Sequence, residues 1–161
     1  MEKITVDSID IQLLDQLQND ASLSNQALAA RVHISPPTSL RRVKRLRDAG
    51  LIEREIAVLS VDKLARVVGH GLCAIVEITL DHQDSDALEA FEKRVASDAA
   101  VQQCYRVSPG PDFCLVVHAA HMPDYLALAQ RLFTSDANVR NVKAFFSTKR
   151  AKFRPKVLLT R

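Results

Sequence analysis

The chain changes its hydrophobic period at Gly50. Before that residue apolar side chains recur at helical spacing, and after it β-rich runs alternate with amphipathic helical stretches. A chain of 161 residues with such a break reads as two small domains, about sixty residues followed by about ninety.

In the first part, Ile9, Leu13, Leu14, Leu17 and Gln18 share a helical face behind Asp7, a favoured capping residue, and Asn19-Asp20 closes the segment. A short second helix spans about Asn25 to Val32, anchored by Leu28 and Val32. His33-Ile34-Ser35 separates it from a third. That third helix opens on Ser35-Pro36-Pro37. Serine is a good N-cap, and proline is tolerated where amides lack intrahelical acceptors anyway. It runs to Ala49 and stops at Gly50, with Leu40, Val43 and Leu46 as its packing stripe. Leu51 to Ser60 alternates weakly and is expected to be a strand leaving this domain. Residues 61–70 then form a linker with a helical turn.

The remainder gives strands over Gly71–Leu80, Val101–Ser108, Phe113–Ala119 and Val139–Thr148, with helices over Asp84–Ser97 and Pro123–Phe133. The order βαββαβ is the ferredoxin-like arrangement. The expected fold class is therefore α+β: a helix-turn-helix domain over 1–60, then a βαββαβ domain over 71–161.

The net charge of +3 conceals a polar distribution. Residues 1–60 carry eight basic and eight acidic side chains, residues 61–139 six and eleven, and residues 140–161 eight and none. Arg41, Arg42, Lys44, Arg45 and Arg47 fall within seven residues that contain no acid. Local concentration of one sign is what attracts a polyanion. The composition, with 47% apolar and 25% charged residues and four glycines, excludes disordered and collagenous classes. Three cysteines without a C-x-x-C pattern point to a reduced, cytoplasmic protein. No apolar run nears the roughly 18 residues of a membrane span, and MEKITVDSIDIQ lacks a secretory pattern.

A capped basic helix after a helix and a short break fits the DNA major groove, with its N-terminal residues against base edges. Pro37, Thr38, Ser39, Arg41 and Arg42 occupy its first turns, and Ser35 begins it. Thr and Ser bond bases or phosphates, Arg pairs bidentately with guanine, and Lys44 and Arg45 further along suit phosphates. A basic helix alone equally describes a solvated structural face; the two helices before it favour DNA. The basic stretch from Arg140 to Arg161 reads as a strand with a solvated face and a flexible end, with direct DNA contact as the competing reading. His118 and His121 make an incomplete ligand set, so no metal site is expected. No nucleophile with its base, phosphate loop or dinucleotide fingerprint appears, and neither enzymatic activity nor a cofactor is expected. The turn Ser108-Pro109-Gly110-Pro111-Asp112 joins two strands and offers a carboxylate to the ammonium of an amino acid, although such a sequence also serves as a simple tight turn.

These segments resemble the leucine-responsive regulatory protein/asparagine regulator (Lrp/AsnC) family of prokaryotic transcription regulators over nearly the whole chain. Asp7 to Leu14 resembles its opening helix, Leu23 to Ala29 its second, and Ser35 to Leu46 its recognition helix. Ala49-Gly50-Leu51-Ile52 resembles the exit from that domain, and Ala74 to Ile78 and Asp112 to Leu115 the regulatory domain. The resemblance implies a winged helix-turn-helix and a βαββαβ domain that dimerises through its sheet, assembles further to a tetramer of dimers, and senses an amino acid. It implies a cytoplasmic, nucleoid-associated regulator of double-stranded DNA, with Ser35, Pro37, Thr38, Ser39, Arg41, Arg42, Lys44 and Arg45 at the DNA. Ser108, Gly110 and Asp112 are the implied effector contacts. The turn departs from the family pattern: Pro109 follows the Val-Ser pair, where the family carries Gly, and two prolines remove two amide donors. An architectural DNA-binding protein and a metabolite-binding domain or enzyme are the alternative readings.

Overall fold

The computed structural model describes residues 5–69 and 71–159. His70 of the expected linker and residues 160 and 161 of the basic tail lie outside the described residues. The chain forms two compact units, one of residues 1–58 with 152–161 and one of residues 59–151.

The first unit holds α1 (Ser8–Asn19), α2 (Asn25–Arg31) and α3 (Pro36–Asp48). Each starts on a side-chain cap: Asp7, Ser24 and Ser35 accept from the amides of Asp10, Ala27 and Thr38. Asp7 and Asp10 cap reciprocally, each carboxylate taking the other's amide. α3 ends as expected, with Gly50 at φ +72° and the Leu51 amide bonded to the Leu46 carbonyl at 3.0 Å. The core joins Leu13, Leu28, Val32 and Val43, with Ile9, Leu17 and Ile52 at its margin; Leu46 is also fully buried.

The packing stripe of α3 differs from the expected one. Leu40 is 60% exposed, while its neighbour Ser39 is 0% exposed. The buried set is Ser39, Val43 and Leu46, spaced i, i+4, i+7, with Arg42 half-buried beside it. The Ser39 hydroxyl has no hydrogen-bond partner among the described residues.

The expected strand over 51–60 does not form. Residues 53–60 are exposed and without regular structure, because no segment among the described residues pairs with them and a strand requires a partner for its ladder. The linker is more ordered than expected: α4 (Val61–Val68) is a full helix closed by Gly69 at φ +73°. The tail is also placed differently. Its described residues from Lys152 group with the first unit, not with the βαββαβ domain. There the Gln18 side chain donates to the Val157 carbonyl and accepts its amide, both at 2.9 Å, and Lys156 Nζ meets Asp15 at 2.8 Å.

The second unit adds β1 (Leu72–Leu80), α5 (Ser85–Ala96), β2 (Val101–Arg106), β3 (Phe113–Ala119), α6 (Met122–Ala129, continued by a π-helical turn over Gln130–Thr134) and β4 (Val139–Phe146). All pairings are antiparallel and the strand order is β2-β3-β1-β4, as the ferredoxin-like arrangement requires. Period-2 alternation sends Ala74, Val76, Ile78, Leu80, Phe113, Leu115 and Val117 to one face. There they pack with Phe91 and Val95 of α5 and with Tyr125 and Leu128 of α6. Phe91 and Phe113 stack with ring centres 4.8 Å apart.

Ser39 gives the first test. Removing a buried hydroxyl that bonds nothing, and substituting the best helix former, should stabilise the unit. Ser39→Ala is expected to raise the unfolding free energy by about 1 kcal/mol in denaturant titrations. A loss of stability would show that the hydroxyl has a partner.

Candidate nucleic-acid interface and effector turn

The rotational position of α3 is set by a carboxylate. Asp10, fully buried on α1, accepts from Arg42 Nη1 at 2.8 Å and from Arg45 Nη2 at 2.5 Å. Arg42 also holds Asp7 at 2.7 Å. The Asp10 amide and the Arg42 guanidinium beside it together hold the Asp7 carboxyl down to about 2. Asp7 therefore contributes its share of these contacts above the ordinary carboxylate range and loses it as pH falls toward about 2. Arg47 pairs with Glu55. Three of the five clustered cations are thus neutralised within the unit.

Arg41 and Lys44 remain exposed, with no acidic partner among the described residues. They share the solvent side of α3 with Pro36, Pro37 and Leu40. Of the other residues expected at DNA, Ser35 and Thr38 cap the helix, their hydroxyls 2.8 Å apart, and Ser39 faces the core. Arg42 and Arg45 turn toward Asp10. The structure therefore brings Pro37, Arg41 and Lys44 to one exposed arc and sends Ser39 and Arg42 inward. Sequence reasoning missed Asp10 as the organiser. The available signal was its position i, i+3, i+7 with Leu13 and Leu17, which places a carboxylate in an apolar stripe.

The effector turn is built differently from its expected role. Ser108 and Gly110 are exposed, the Ser108–Pro109 peptide is cis, and Gly110 sits at φ +125°, which favours glycine. Asp112 is half-buried and engaged. Its Oδ2 accepts the Leu80 amide at 2.7 Å and Gln83 Nε2 at 3.2 Å, and its own amide donates to the Ile78 carbonyl at 2.8 Å. Leu80 lies where the β1–β4 register shifts, so Asp112 takes up an amide at the irregularity. No hydrogen bond of its Oδ1 is seen among the described residues.

His121 and Asp124 cap the start of α6 reciprocally. Burial, and then the charge of Arg150, push the His118 imidazole below its usual range, while burial raises the Cys73 and Cys104 thiols. No group of His, Cys, Asp and Glu suited to a metal occurs among the described residues.

The family model described as the Lrp/AsnC ligand binding domain matches residues 73–157, and one described as winged helix-turn-helix DNA-binding matches residues 6–53. The chain belongs to the Lrp/AsnC family. Among its relatives is a leucine-responsive regulatory protein of Rhizobium meliloti, 33% identical over 150 residues, which cover 93% of this chain and 94% of that one. The DNA-binding transcriptional activator DecR of Escherichia coli is 32% identical over 148 residues, covering 92% and 95%. A solved transcriptional regulator from Neisseria meningitidis, in complex with L-Met, aligns with TM-score 0.83 and 28% identity over 96% of this chain and 97% of that one. This Lrp/AsnC protein is accordingly a DNA-binding transcription regulator with a ligand-binding domain. No helix among its described residues is long and apolar enough to cross a membrane.

Arg42 is expected to behave as a fold residue. Arg42→Ala leaves a buried carboxylate with one partner and should cost about 3 kcal/mol of unfolding free energy. Wild-type stability in that variant, combined with altered sequence preference, would return Arg42 to the DNA surface.

Proposed function

We propose that the protein acts in the cytoplasm on nucleoid DNA as a homo-oligomeric, sequence-specific regulator whose assembly or DNA affinity responds to an amino acid. The observation that carries this reading is the sorting of charge on α3. Arg42, Arg45 and Arg47 are paired with carboxylates of the same unit, whereas Arg41 and Lys44, on the helix that follows the turn, have no acidic partner among the described residues. Unpaired cations on the exposed face of such a helix suit major-groove edges and flanking phosphates. Ser35, Pro37 and Thr38 line the groove-facing start of the helix, and two such helices in a dimer enter grooves about 34 Å apart.

Assembly is supported by the second face of the sheet. Ile75, Phe145 and Tyr105 are each about half exposed there, and Ile75 stands between Val116 and Phe145 in register. A second copy of the same face covers such a patch in a two-fold dimer. Further association to a tetramer of dimers raises avidity for DNA by linking several reading helices. A sedimentation mass of one chain at micromolar concentration would remove this part of the reading.

For the effector, the supporting features are the exposed Ser108-Gly110 turn, the Asp112 Oδ1 beside it, and the L-Met complex of the Neisseria relative. No separate cofactor is invoked. The effector acts by its differential affinity for two states.

Two experiments test these assignments. In DNA titrations, Arg41→Ala should weaken the selected site by about 1–3 kcal/mol, and Lys44→Ala should lower the salt slope by about one. Both should keep the wild-type melting temperature, and unchanged DNA affinity in both would sink the assignment of this face. Asp112→Asn keeps an acceptor for the Leu80 amide while removing the charge. It should abolish the shift in DNA affinity produced by a panel including L-Met and L-Leu, leaving effector-free binding intact. Equal calorimetric affinity for the amino acid in variant and wild type would refute the role of Asp112.

A further inference from the structure

α3 leaves an apolar side chain in solvent next to a buried polar one. A serine hydroxyl without a partner fills its packing face, while the adjacent leucine stands 60% exposed. At about 100° per residue Ser39 falls between Val43 and Leu46, inside the packing stripe, and Leu40 falls outside it. The Asp10–Arg42–Arg45 contacts hold α3 to α1 with that stripe inward. Departures from local consistency concentrate where a surface serves another purpose.

What surrounds Leu40 indicates the purpose. Pro36, Arg47, Leu40, Lys44, Pro37 and Arg41 fall within roughly 140° of the helix circumference. Leu40 lies inside that arc, one turn before Lys44 and beside Arg41, the two unpaired cations. It is also in the N-terminal half of α3, the part of a recognition helix that reaches base edges. The major groove offers one apolar feature to such a side chain, the 5-methyl group of thymine.

We infer that Leu40 is a specificity-determining residue that packs on a thymine methyl group, with Arg41 and Lys44 holding the helix to the DNA on either side. The inference rests on the DNA-binding reading proposed above. A lone exposed leucine on a protein surface requires no explanation. This one is set between cations that have no acidic partner among the described residues, in the half of the helix that reaches base edges.

The test uses the full-length protein and duplexes that the wild type selects from random sequence. Each thymine of the selected site is replaced in turn by deoxyuridine, which removes only the methyl group, and both forms are titrated at one salt concentration. At one or two positions per half-site the replacement should weaken wild type about fourfold, the value of one buried carbon. Leu40→Ala should bind the thymine duplex about fourfold more weakly and be indifferent to the replacement at those positions. Leu40→Met, which keeps apolar reach, should retain sensitivity to the methyl group. Identical deoxyuridine effects in wild type and Leu40→Ala overturn the inference. So does a loss that is equal on selected and random DNA, or a changed sedimentation mass, which would place Leu40 in a contact between copies. Failure of the wild type to select any sequence is a separate result: it overturns the DNA-binding reading itself and this inference with it.

Discussion

A buried carboxylate determines what this protein can present to DNA. Asp10 has no exposure to water and sits between two guanidinium groups of α3. A charge in that position is tolerated only while its partners stay in place, and removing one is far more costly than losing a surface pair. The contact is therefore a constraint on geometry. It joins the first turn of α1 to the middle of α3 and fixes the angle of α3 about its own axis. It also takes Arg42 and Arg45 out of the basic cluster and leaves Arg41 and Lys44 without an acidic partner among the described residues.

The second unit rests on a simpler rule, the alternation of side chains along a strand. One face of the sheet meets α5 and α6 and is filled by β-branched, aliphatic and aromatic residues. The other face carries Ile75, Phe145 and Tyr105 into solvent alongside Glu77 and Lys143. Asp112 shows a turn residue engaged by the fold. Its Oδ2 is committed to the end of β1, and no bond of its Oδ1 is seen among the described residues.

What was legible in the sequence follows the same physics. Period-2 runs and helix caps are local, and they placed all four strands of the sheet, the helix starts at Asp7 and Ser35, and the stop at Gly50. Only the ends shifted, as at Val139–Phe146, where the expected strand ran two residues further. The stripe on α3 was misread because Leu40, Val43 and Leu46 fit a helical spacing as well as Ser39, Val43 and Leu46. Hydrophobicity favours the leucine, but Ser39 falls between Val43 and Leu46 around the helix and Leu40 falls outside them. The basic cluster was read as one patch because the pairing of Arg42, Arg45 and Arg47 depends on residues remote in sequence or lying beyond the helix. The strand over 51–60 failed because alternation states a preference, whereas a ladder needs a second strand. The contacts of the tail were not legible because its partners, Gln18 and Asp15, are well over a hundred residues away.

These energies also bear on how a signal can reach the DNA surface. An effector changes DNA affinity only by the difference in its affinity for two states, typically 1–3 kcal/mol. That is less than the cost of stripping a partner from Asp10, so the rotation of α3 is not within its reach. The chain, however, passes between the two units twice, once at Val58–Leu59 and again at Ala151–Lys152. The second passage ends on the Gln18 side chain, whose two bonds to Val157 are exposed and worth about 0.5–1.5 kcal/mol each. Terms of that size match the free energy an effector supplies. The face that reads DNA is thus fixed by contacts too strong for an effector to alter, while the attachments around it are weak enough to be shifted.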